Sequence, residues 1–438
     1  MTMTDTVGDY VDALKSDSLD ADLLALYGKA EFADQKQRYA RLLETMQARF
    51  APDRAAVIIS PGRTELGGNH TDHNHGQVLA AAVHLDCVAV AAPVPGMQVV
   101  IHSSGFPELI RADLSDLAPR PEERGRSESL VRGVAAGLAE KGCRIGGFTA
   151  CVNSTVLPGS GLSSSAAFGI LLGGIFNHLF NRCGTTAFDL AGIAKLAENE
   201  FFGKPCGFMD QLTCALGGVL HIDFKSHLDP DVERIDFEFT QAGYQLAVVD
   251  TGGNHAELTP EYAAITKEMG AAALLLGKEV LRELSIGEVI RAIPRLRQKA
   301  GDRAILRTIH FVEESQRVGA MVSALRRNQM EAYLKLVSAS GASSWRLLQN
   351  CFRTSTPQLQ GIPLAQTLTE RFLDGSGACR VHGGGFEGTI QAYVPKARFD
   401  DYRKFMERVF GPGSVMALRI RRPGVSRLRP GGLDRTFD

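Results

Sequence analysis

Residues 157–168 read LPGSGLSSSAAF, a proline–glycine turn that passes through three serines into an apolar segment. The run AAFGILLGGIFNHLF that begins at residue 166 has the length and apolar density of a buried helix. Residues 163–165 would then form its first turn, where free backbone N–H groups and the helix dipole attract anions. The segment predicts a phosphate-binding turn, and an ordinary turn ahead of a helix is the open alternative.

Two other phosphate motifs do not fit this turn. A Walker A loop needs Gly-Lys-Ser/Thr after its glycines, and a dinucleotide fingerprint needs a glycine where Ser164 stands. The triple serine followed by two alanines instead resembles the second motif of the GHMP kinases, the superfamily of galactokinase, homoserine kinase, mevalonate kinase and phosphomevalonate kinase. The resemblance implies that the nucleotide phosphates contact Gly159, Ser160, Gly161, Leu162, Ser163, Ser164, Ser165 and Ala166.

The composition of the chain is that of an ordinary globular enzyme. Its 438 residues are many for one core, so we expect two domains. Apolar residues make up 44% of the chain and charged residues 22%. A net charge of -1 gives no general attraction to nucleic acid or anionic lipid, and no apolar run approaches a membrane span. We therefore expect neither nucleic acid nor a membrane as a partner.

The cysteines and the chain ends indicate the compartment. The eight cysteines contain no C-x-x-C pair, which favours reduced thiols. The first 17 residues are acidic and lack a basic-then-apolar signal region, so we expect a cytoplasmic protein. Residues 419–435 hold six arginines and are predicted to form a solvated tail, with an anion contact as the alternative.

Hydrophobic periodicity predicts helices in the N-terminal segment, before and after the serine turn, and through much of the second half. The predicted helices cover residues 3–50, 128–141, 184–203 and most of 261–350. The predicted strands cover 55–63, 78–94, 97–104, 148–158, 217–224 and 244–252, and a glycine turn enters a further strand within 380–395. The first of these strands is predicted to end at a Pro-Gly turn, and residues 225–233 are a candidate boundary.

Residues 61–76, PGRTELGGNHTDHNHG, concentrate polar groups directly after a predicted strand. One interpretation is a polar loop. Another is a transition-metal site built from His70, Asp72, His73 and His75. Their spacing matches no helical two-histidine motif, so all the ligands would have to converge from one loop.

A third interpretation is that the segment resembles the galactokinase signature, which runs Pro-Gly-Arg, Asn-Leu-Ile-Gly, then Glu-His-Thr-Asp-Tyr-Asn and a glycine. The resemblance implies that His70 and Asp72 bind sugar hydroxyls and that Arg63 serves catalysis. The residues that match in order are Pro61, Gly62, Arg63, Leu66, Gly68, His70, Thr71, Asp72, Asn74 and Gly76.

Three positions depart from that signature. Glu65 replaces an asparagine, His73 replaces the tyrosine, and Asn69 replaces the glutamate that binds the sugar. Asn69 keeps a hydrogen-bond acceptor but loses the charge. We expect it at the sugar, while its contact with the hydroxyl on the sixth carbon stays open.

Residues 197–218, AENEFFGKPCGFMDQLTCALGG, resemble the galactokinase segment that ends in Gly-Ile-Met-Asp-Gln. The resemblance implies that Asp210 is the catalytic carboxylate and that Gly207 lies against the sugar. Glu198, twelve residues upstream, would bind magnesium together with Ser165. Without the other motifs, a helix cap is the alternative role for Asp210.

Two further segments extend the resemblance. Residues 383–388, GGGFEG, stand where the third GHMP motif usually reads Gly-x-Gly-Phe-Gly-Gly, with Glu387 in place of a glycine. Glycines there let the backbone fold close to the phosphates and the sugar. Residues 255–265 resemble the segment that carries a sugar-contacting tyrosine, here Tyr262.

The adenine pocket departs from the family pattern. The usual tryptophan and tyrosine correspond to Ser127 and Leu130, and the chain's single tryptophan is Trp345. Preference for ATP over GTP is therefore an implication of the resemblance alone.

The resemblance covers about residues 50–395 and implies an α+β, two-domain GHMP kinase fold with the active site in the cleft between the domains. The N-terminal domain, residues 1–230, would hold a mixed sheet with helices, the sugar signature and the serine turn. The C-terminal domain, residues 231–438, would be a ferredoxin-like α/β domain. We expect a monomer.

The implied activity is ATP- and Mg²⁺-dependent phosphorylation of the anomeric hydroxyl of galactose. Asp210 would accept the proton of that hydroxyl or orient it, and Arg63 would keep Asp210 ionised and offset charge on the transferred group. Two alternatives stay open: a GHMP kinase for another sugar (N-acetylgalactosamine, a uronic acid or arabinose), and a non-catalytic sugar sensor. The intact Ser165-Ala166 pair and Asp210 argue against the sensor.

Overall fold

A computed structural model describes residues 4–156, 159, 161–226, 229–253 and 258–434. In these ranges the strands form two sheets, one of ten strands and one of four. The strands are β1 Asp5–Thr6, β2 Arg54–Gly67, β3 Gln77–Pro93, β4 Gln98–Ser103, β5 Ile110–Asp113, β6 Phe148–Ser154, β7 Val219–Asp223, β8 Asp231–Ile235, β9 Tyr244–Asp250, β10 Ala378–Val381, β11 Thr389–Pro395, β12 Val415–Leu418, β13 Ser426–Arg429 and β14 Gly432–Asp434.

Most helices lie in the segments that periodicity predicted, whereas those at Met209–Leu216, Gly361–Leu373 and Phe399–Phe410 were not predicted. They are α1 Val7–Lys15, α2 Asp20–Tyr27, α3 Phe32–Phe50, α4 Ser127–Glu140, α5 Ser164–Asn181, α6 Ala187–Leu196, α7 Met209–Leu216, α8 Thr259–Leu275, α9 Ile286–Lys299, α10 Asp302–Arg326, α11 Met330–Ser343, α12 Gly361–Leu373 and α13 Phe399–Phe410. The side chain of Thr186 caps the first turn of α6 by accepting a hydrogen bond from the Asp189 N–H. At its other end, α6 continues into a π-helical turn, Ala197–Phe202. None of these helices combines the length and apolarity needed to cross a membrane.

The central strand β2 is buried on both faces, which explains its continuous apolar sequence. Ala56 and Ile58 face the large core beneath α5, whereas Val57 and Ile59 face a separate core formed with helices α1–α3. The prediction that this strand ends at Pro61 and Gly62 is wrong. The strand continues to Gly67, because a bulge between Pro61 and Arg63 absorbs the irregularity without ending the pairing with β3.

The second sheet is antiparallel throughout, in the order β10-β11-β9-β12, and α12 and α13 pack against it. The first sheet is mixed, because β4 runs parallel to β6 while its other pairs are antiparallel. The predicted α+β class with two sheet units is therefore confirmed. The sheets meet at the end of β2, where Gln391 Nε2 donates to Thr64 Oγ1 (2.7 Å) and to the Glu65 carbonyl (2.9 Å).

Two C-terminal features lie in the first sheet. β13 pairs with β2, and β8 pairs with β7, so segments beyond residue 230 complete the N-terminal sheet. The division into 1–230 and 231–438 stays a prediction. The prediction of a solvated arginine tail is wrong: Arg421 is 1% exposed and donates to Asp86 (2.8 Å), because the chain end returns to pack beside β2 and β3.

Candidate functional site

The serine turn leads into α5 as predicted, and the helix begins at Ser164. Ser163, the residue before it, has φ +59°, a left-handed conformation that is uncommon outside glycine, and its side chain makes no capping bond. The Ser163 hydroxyl therefore does not cap the helix and can hydrogen-bond to another group. Ser160, like residues 157 and 158, lies outside the described residues.

The turn is held tightly against neighbouring strands. Gly161 has φ +72°, and a Cβ there would lie 2.7 Å from His382 Nδ1 and 2.7 Å from Thr389 Oγ1, so no side chain fits. The Leu162 carbonyl accepts the Arg63 N–H at 3.1 Å. The turn thus lies between the bulge of β2 and the second sheet.

Asp210, in the first turn of α7, forms a two-point ion pair with Arg63. Arg63 Nε lies 2.5 Å from Oδ1 and Arg63 Nη2 lies 2.7 Å from Oδ2, while Ser163 Oγ also donates to Oδ2. Burial by itself would raise the pKa of Asp210, but the charge and hydrogen bonds of Arg63 outweigh it and hold that pKa below its usual value. The carboxylate is therefore ionised at neutral pH.

A second carboxylate lies on the other side of the serine turn. Glu198 belongs to the π-helical turn and is 2% exposed. Its Oε1 accepts from Ser165 Oγ at 2.6 Å and its Oε2 accepts from Gln211 Nε2 at 2.8 Å. A carboxylate beside a hydroxyl offers the oxygen ligands that magnesium prefers, so the predicted pair fits that ion.

Lys204 is a charged neighbour of this pair that sequence reasoning missed. Its Nζ lies 3.1 Å from Glu198 Oε1. The residue stands within the segment that carries both carboxylates, and a lysine between Glu198 and Asp210 is the signal that could have found it.

The residues predicted to bind sugar form two pairs of close neighbours, Asp72 with Gly207 and His70 with Tyr262. Asp72 packs so closely on Gly207 that a Cβ at position 207 would lie 1.7 Å from Asp72 Oδ2. The His70 and Tyr262 rings are 6.1 Å apart, and Tyr262 lies over Gly384, where a Cβ would meet its ring at 2.6 Å. Burial lowers the pKa of His70 to about 4, so its ring is neutral and can exchange hydrogen bonds with hydroxyls.

The histidine-rich loop does not form a metal cluster in the described part of the chain, where no group of three or more His, Cys, Asp or Glu side chains is placed to hold an ion. His70 Nε2 instead lies 2.9 Å from the Gly384 carbonyl, and His73 Nε2 lies 3.7 Å from Asp72 Oδ1. The transition-metal interpretation therefore finds no support in this geometry.

Comparisons with known proteins place this arrangement in a family. The model described as galactokinase galactose-binding signature matches residues 45–93, and the GHMP kinases N terminal domain matches residues 129–218. A galactokinase of Streptomyces coelicolor is 30% identical over 86% of this chain and 94% of its own length, and one of Glaesserella parasuis is 31% identical over 80% and 88%. The chain belongs to the galactokinase family.

Solved structures share the fold of this galactokinase family member. Lactococcus lactis galactokinase complexed with galactose aligns with a TM-score of 0.76 at 23% identity, over 89% of this chain and all of the other. The Methanococcus jannaschii mevalonate kinase aligns with a TM-score of 0.60 at 15% identity, over 84% of this chain and 98% of the other. These likenesses confirm the GHMP kinase fold.

Asn69, the predicted departure from the galactokinase signature, is 0% exposed and hydrogen-bonded to protein on both ends of its amide. Its Nδ2 donates to Glu65 Oε1 (3.0 Å) and to the Gly383 carbonyl (2.7 Å), and its Oδ1 accepts from Asn350 Nδ2 (2.8 Å). Glu65 in turn pairs with Arg380 at 2.5 Å. The amide thus joins the sugar signature to the glycine turn, and its contact with sugar stays a prediction.

The glycine turn lies where the resemblance implied. The Gly383 and Gly384 carbonyls accept from the Asn69 and His70 side chains, which ties the turn to the sugar signature. Glu387, the departure within the motif, pairs with Arg353 at 2.5 Å. Of the two positions assigned to the adenine pocket, Ser127 begins α4, and Leu130 is 3% exposed in the large core.

Proposed function

We propose that this chain is an ATP-dependent galactokinase that transfers the terminal phosphoryl group of ATP to the anomeric hydroxyl of galactose, releasing ADP. The observation that carries the proposal is the contact of Asp210 with both Arg63 and Ser163. This contact puts an ionised carboxylate directly at the end of the phosphate turn. Three residues before Asp210, Gly207 lies against Asp72 of the sugar signature.

In this mechanism the sugar hydroxyl faces Asp210, which orients it and takes up its proton. Because Arg63 stabilises the ionised carboxylate, Asp210 is ready to accept a proton at neutral pH. The guanidinium also offsets the negative charge that builds up on the transferred group. Phosphoryl transfer depends mainly on positioning and charge neutralisation, which this arrangement supplies.

The serine turn would hold the phosphates through the backbone N–H groups of the first turn of α5. Ser165 and Glu198 would hold magnesium, because Ser165 Oγ already lies 2.6 Å from Oε1 of the buried Glu198 carboxylate. When bound there, magnesium would supply positive charge that offsets the charge of the phosphates. Gln211 keeps the second oxygen of Glu198 in place.

We assign the sugar contacts to His70, Asp72, Gly207 and Tyr262. Asn69 is included as predicted, although its amide hydrogen-bonds to protein groups on both sides. The same substitution keeps a second candidate function open, a kinase for another sugar. We also propose a cytoplasmic monomer, in keeping with eight cysteines that contain no C-x-x-C pair.

A coupled ADP-release assay across galactose, N-acetylgalactosamine, galacturonic acid, arabinose, mevalonate and homoserine tests the proposal. We expect kcat/KM to be highest for galactose and turnover to require Mg²⁺. Faster turnover of another sugar would show that this sugar, and not galactose, is the acceptor. Tight galactose binding without turnover of any compound would favour a sensor.

A further inference from the structure

Lys204 lies in the loop between the π-helical turn and α7, beside the two residues assigned to magnesium. Its Nζ is 3.1 Å from Glu198 Oε1 and 3.5 Å from Ser165 Oγ. Those two oxygens are themselves 2.6 Å apart. The ammonium therefore occupies the position beside Ser165 and Glu198 that a divalent cation would need.

The charges at the site explain why a cation rests there. Two carboxylates flank the serine turn, and Arg63 is committed to Asp210 by two hydrogen bonds. Glu198 receives only a neutral amide from Gln211 on its Oε2, so the Lys204 ammonium at Oε1 balances its charge. A buried carboxylate without a cation would be costly, because burial penalises its charged form.

The Lys204 side chain is free to leave this position. It is 50% exposed, whereas the Glu198 side chain is 3% exposed. Pro205 restricts the backbone directly after Lys204, and rotation within the four-carbon stem can move the ammonium. The serine turn, where the phosphates of ATP would lie, is within its reach because Ser165 is already a neighbour.

We propose that Lys204 is an exchangeable cation of the phosphate site. In the nucleotide-free protein its ammonium bridges Ser165 and Glu198. When ATP binds, the ammonium moves onto the phosphate oxygens and leaves those of Ser165 and Glu198 to magnesium, so Lys204 supplies a positive charge to the site in both states. The inference rests on the proposed function only in taking ATP as the nucleotide.

Two binding measurements test this exchange without any turnover. The first is the Kd of ATP in EDTA, by calorimetry, and the second is the Kd of Mn²⁺ for the nucleotide-free protein, by electron paramagnetic resonance. For Lys204→Met we expect ATP to bind at least tenfold more weakly and Mn²⁺ at least threefold more tightly, since a competing cation is gone. Lys204→Arg keeps the charge and should keep ATP binding within about threefold.

The matched control is Lys141→Met. Lys141 also pairs with a carboxylate, Asp189 at 2.5 Å, but on the surface between α4 and α6. It should change neither Kd. Unchanged ATP affinity in EDTA for a folded Lys204→Met protein overturns the proposal, whatever the Mn²⁺ result. A wild-type protein that binds ATP but phosphorylates no sugar would refute the proposed function. The two binding measurements would still test the role of Lys204.

Discussion

Two arginine–carboxylate pairs each include one residue of β2, Arg63 in the first and Glu65 in the second. The surroundings of the two pairs differ. In the first, Arg63 of β2 holds Asp210, with side chains 8% and 21% exposed. In the second, Glu65 of β2 is held by Arg380 of β10, with side chains 4% and 0% exposed. The first pair has an open side next to the serine turn, and the second is closed off between the two sheets.

The difference shows in the proton affinity of the two carboxylates. Burial raises the pKa of Glu65, and Arg380 does not fully offset it. The pKa of Asp210 is lowered, because the charge and hydrogen bonds of Arg63 outweigh burial. An arginine–carboxylate pair with one open side can therefore take part in catalysis, whereas a fully enclosed pair joins the two sheets. Substitutions in the first pair should therefore affect turnover, and substitutions in the second should affect stability.

The largest effect is expected for Asp210→Asn. The amide cannot accept the hydroxyl proton, so kcat should fall by about a thousandfold or more. The galactose contacts proposed for His70 and Asp72 are untouched, and the Kd for galactose measured by calorimetry should stay within about threefold. A turnover near that of the wild type would show that Asp210 is not the catalytic carboxylate.

Arg63→Met should come next, with kcat lowered by about a hundredfold or more, because a preorganised positive charge is lost where negative charge develops. The steady-state assay with saturating ATP and galactose measures it. Arg422→Met is the control, since Arg422 pairs with Asp236 on the surface, with side chains 80% and 88% exposed. Equal kcat values for the two variants would place Arg63 outside the chemistry.

Arg380→Met should act on stability instead. Removing one partner leaves the Glu65 charge buried without compensation, which costs about 3–5 kcal/mol of the free energy of unfolding. Urea denaturation measures that loss, while kcat per folded molecule should stay within about threefold. The double variant Glu65→Gln/Arg380→Met should recover most of the loss, and failure to recover any of it would mean that the ion pair is not the cause.

The smallest effect concerns pH. A lowered pKa means that the Asp210–Arg63 pair contributes fully above the unfolded carboxylate pKa of about 3.9 and weakens only as pH falls through the folded value. His70, with a pKa of about 4, is neutral at any pH well above that value. The rate of a single turnover at saturating Mg-ATP should therefore be level from about pH 8 down to about pH 5.5. An acid limb with its midpoint near pH 6.5 would contradict this assignment.

Sequence reasoning found the parts of the site that depend on local patterns. The apolar run after residue 166 predicts α5, and the resemblance to the galactokinase signature named Arg63 and Asp210, which the structure brings into contact across 147 positions. It did not find pairings that depend on distant chain segments. Arg421 is buried because Asp86, 335 residues away, accepts its hydrogen bond, and no local charge pattern shows such a partner.

One further miss has a local cause. β2 runs through Pro61 and Gly62 because a bulge accommodates them, whereas Pro-Gly normally marks a turn. For Asn69 the sequence predicts a sugar ligand, which stays a prediction, but it does not show that the amide hydrogen-bonds to Glu65, Gly383 and Asn350. Burial of a polar side chain depends on tertiary packing that a linear motif does not contain.

The central claim, phosphoryl transfer to an anomeric hydroxyl beside Asp210, is tested most directly by the ³¹P nuclear magnetic resonance spectrum of the protein incubated with Mg-ATP and galactose. We predict ADP and a single phosphomonoester whose resonance is split by the anomeric proton, with no such product from Asp210→Asn. A phosphate on another hydroxyl, or no phosphomonoester at all, would contradict the account.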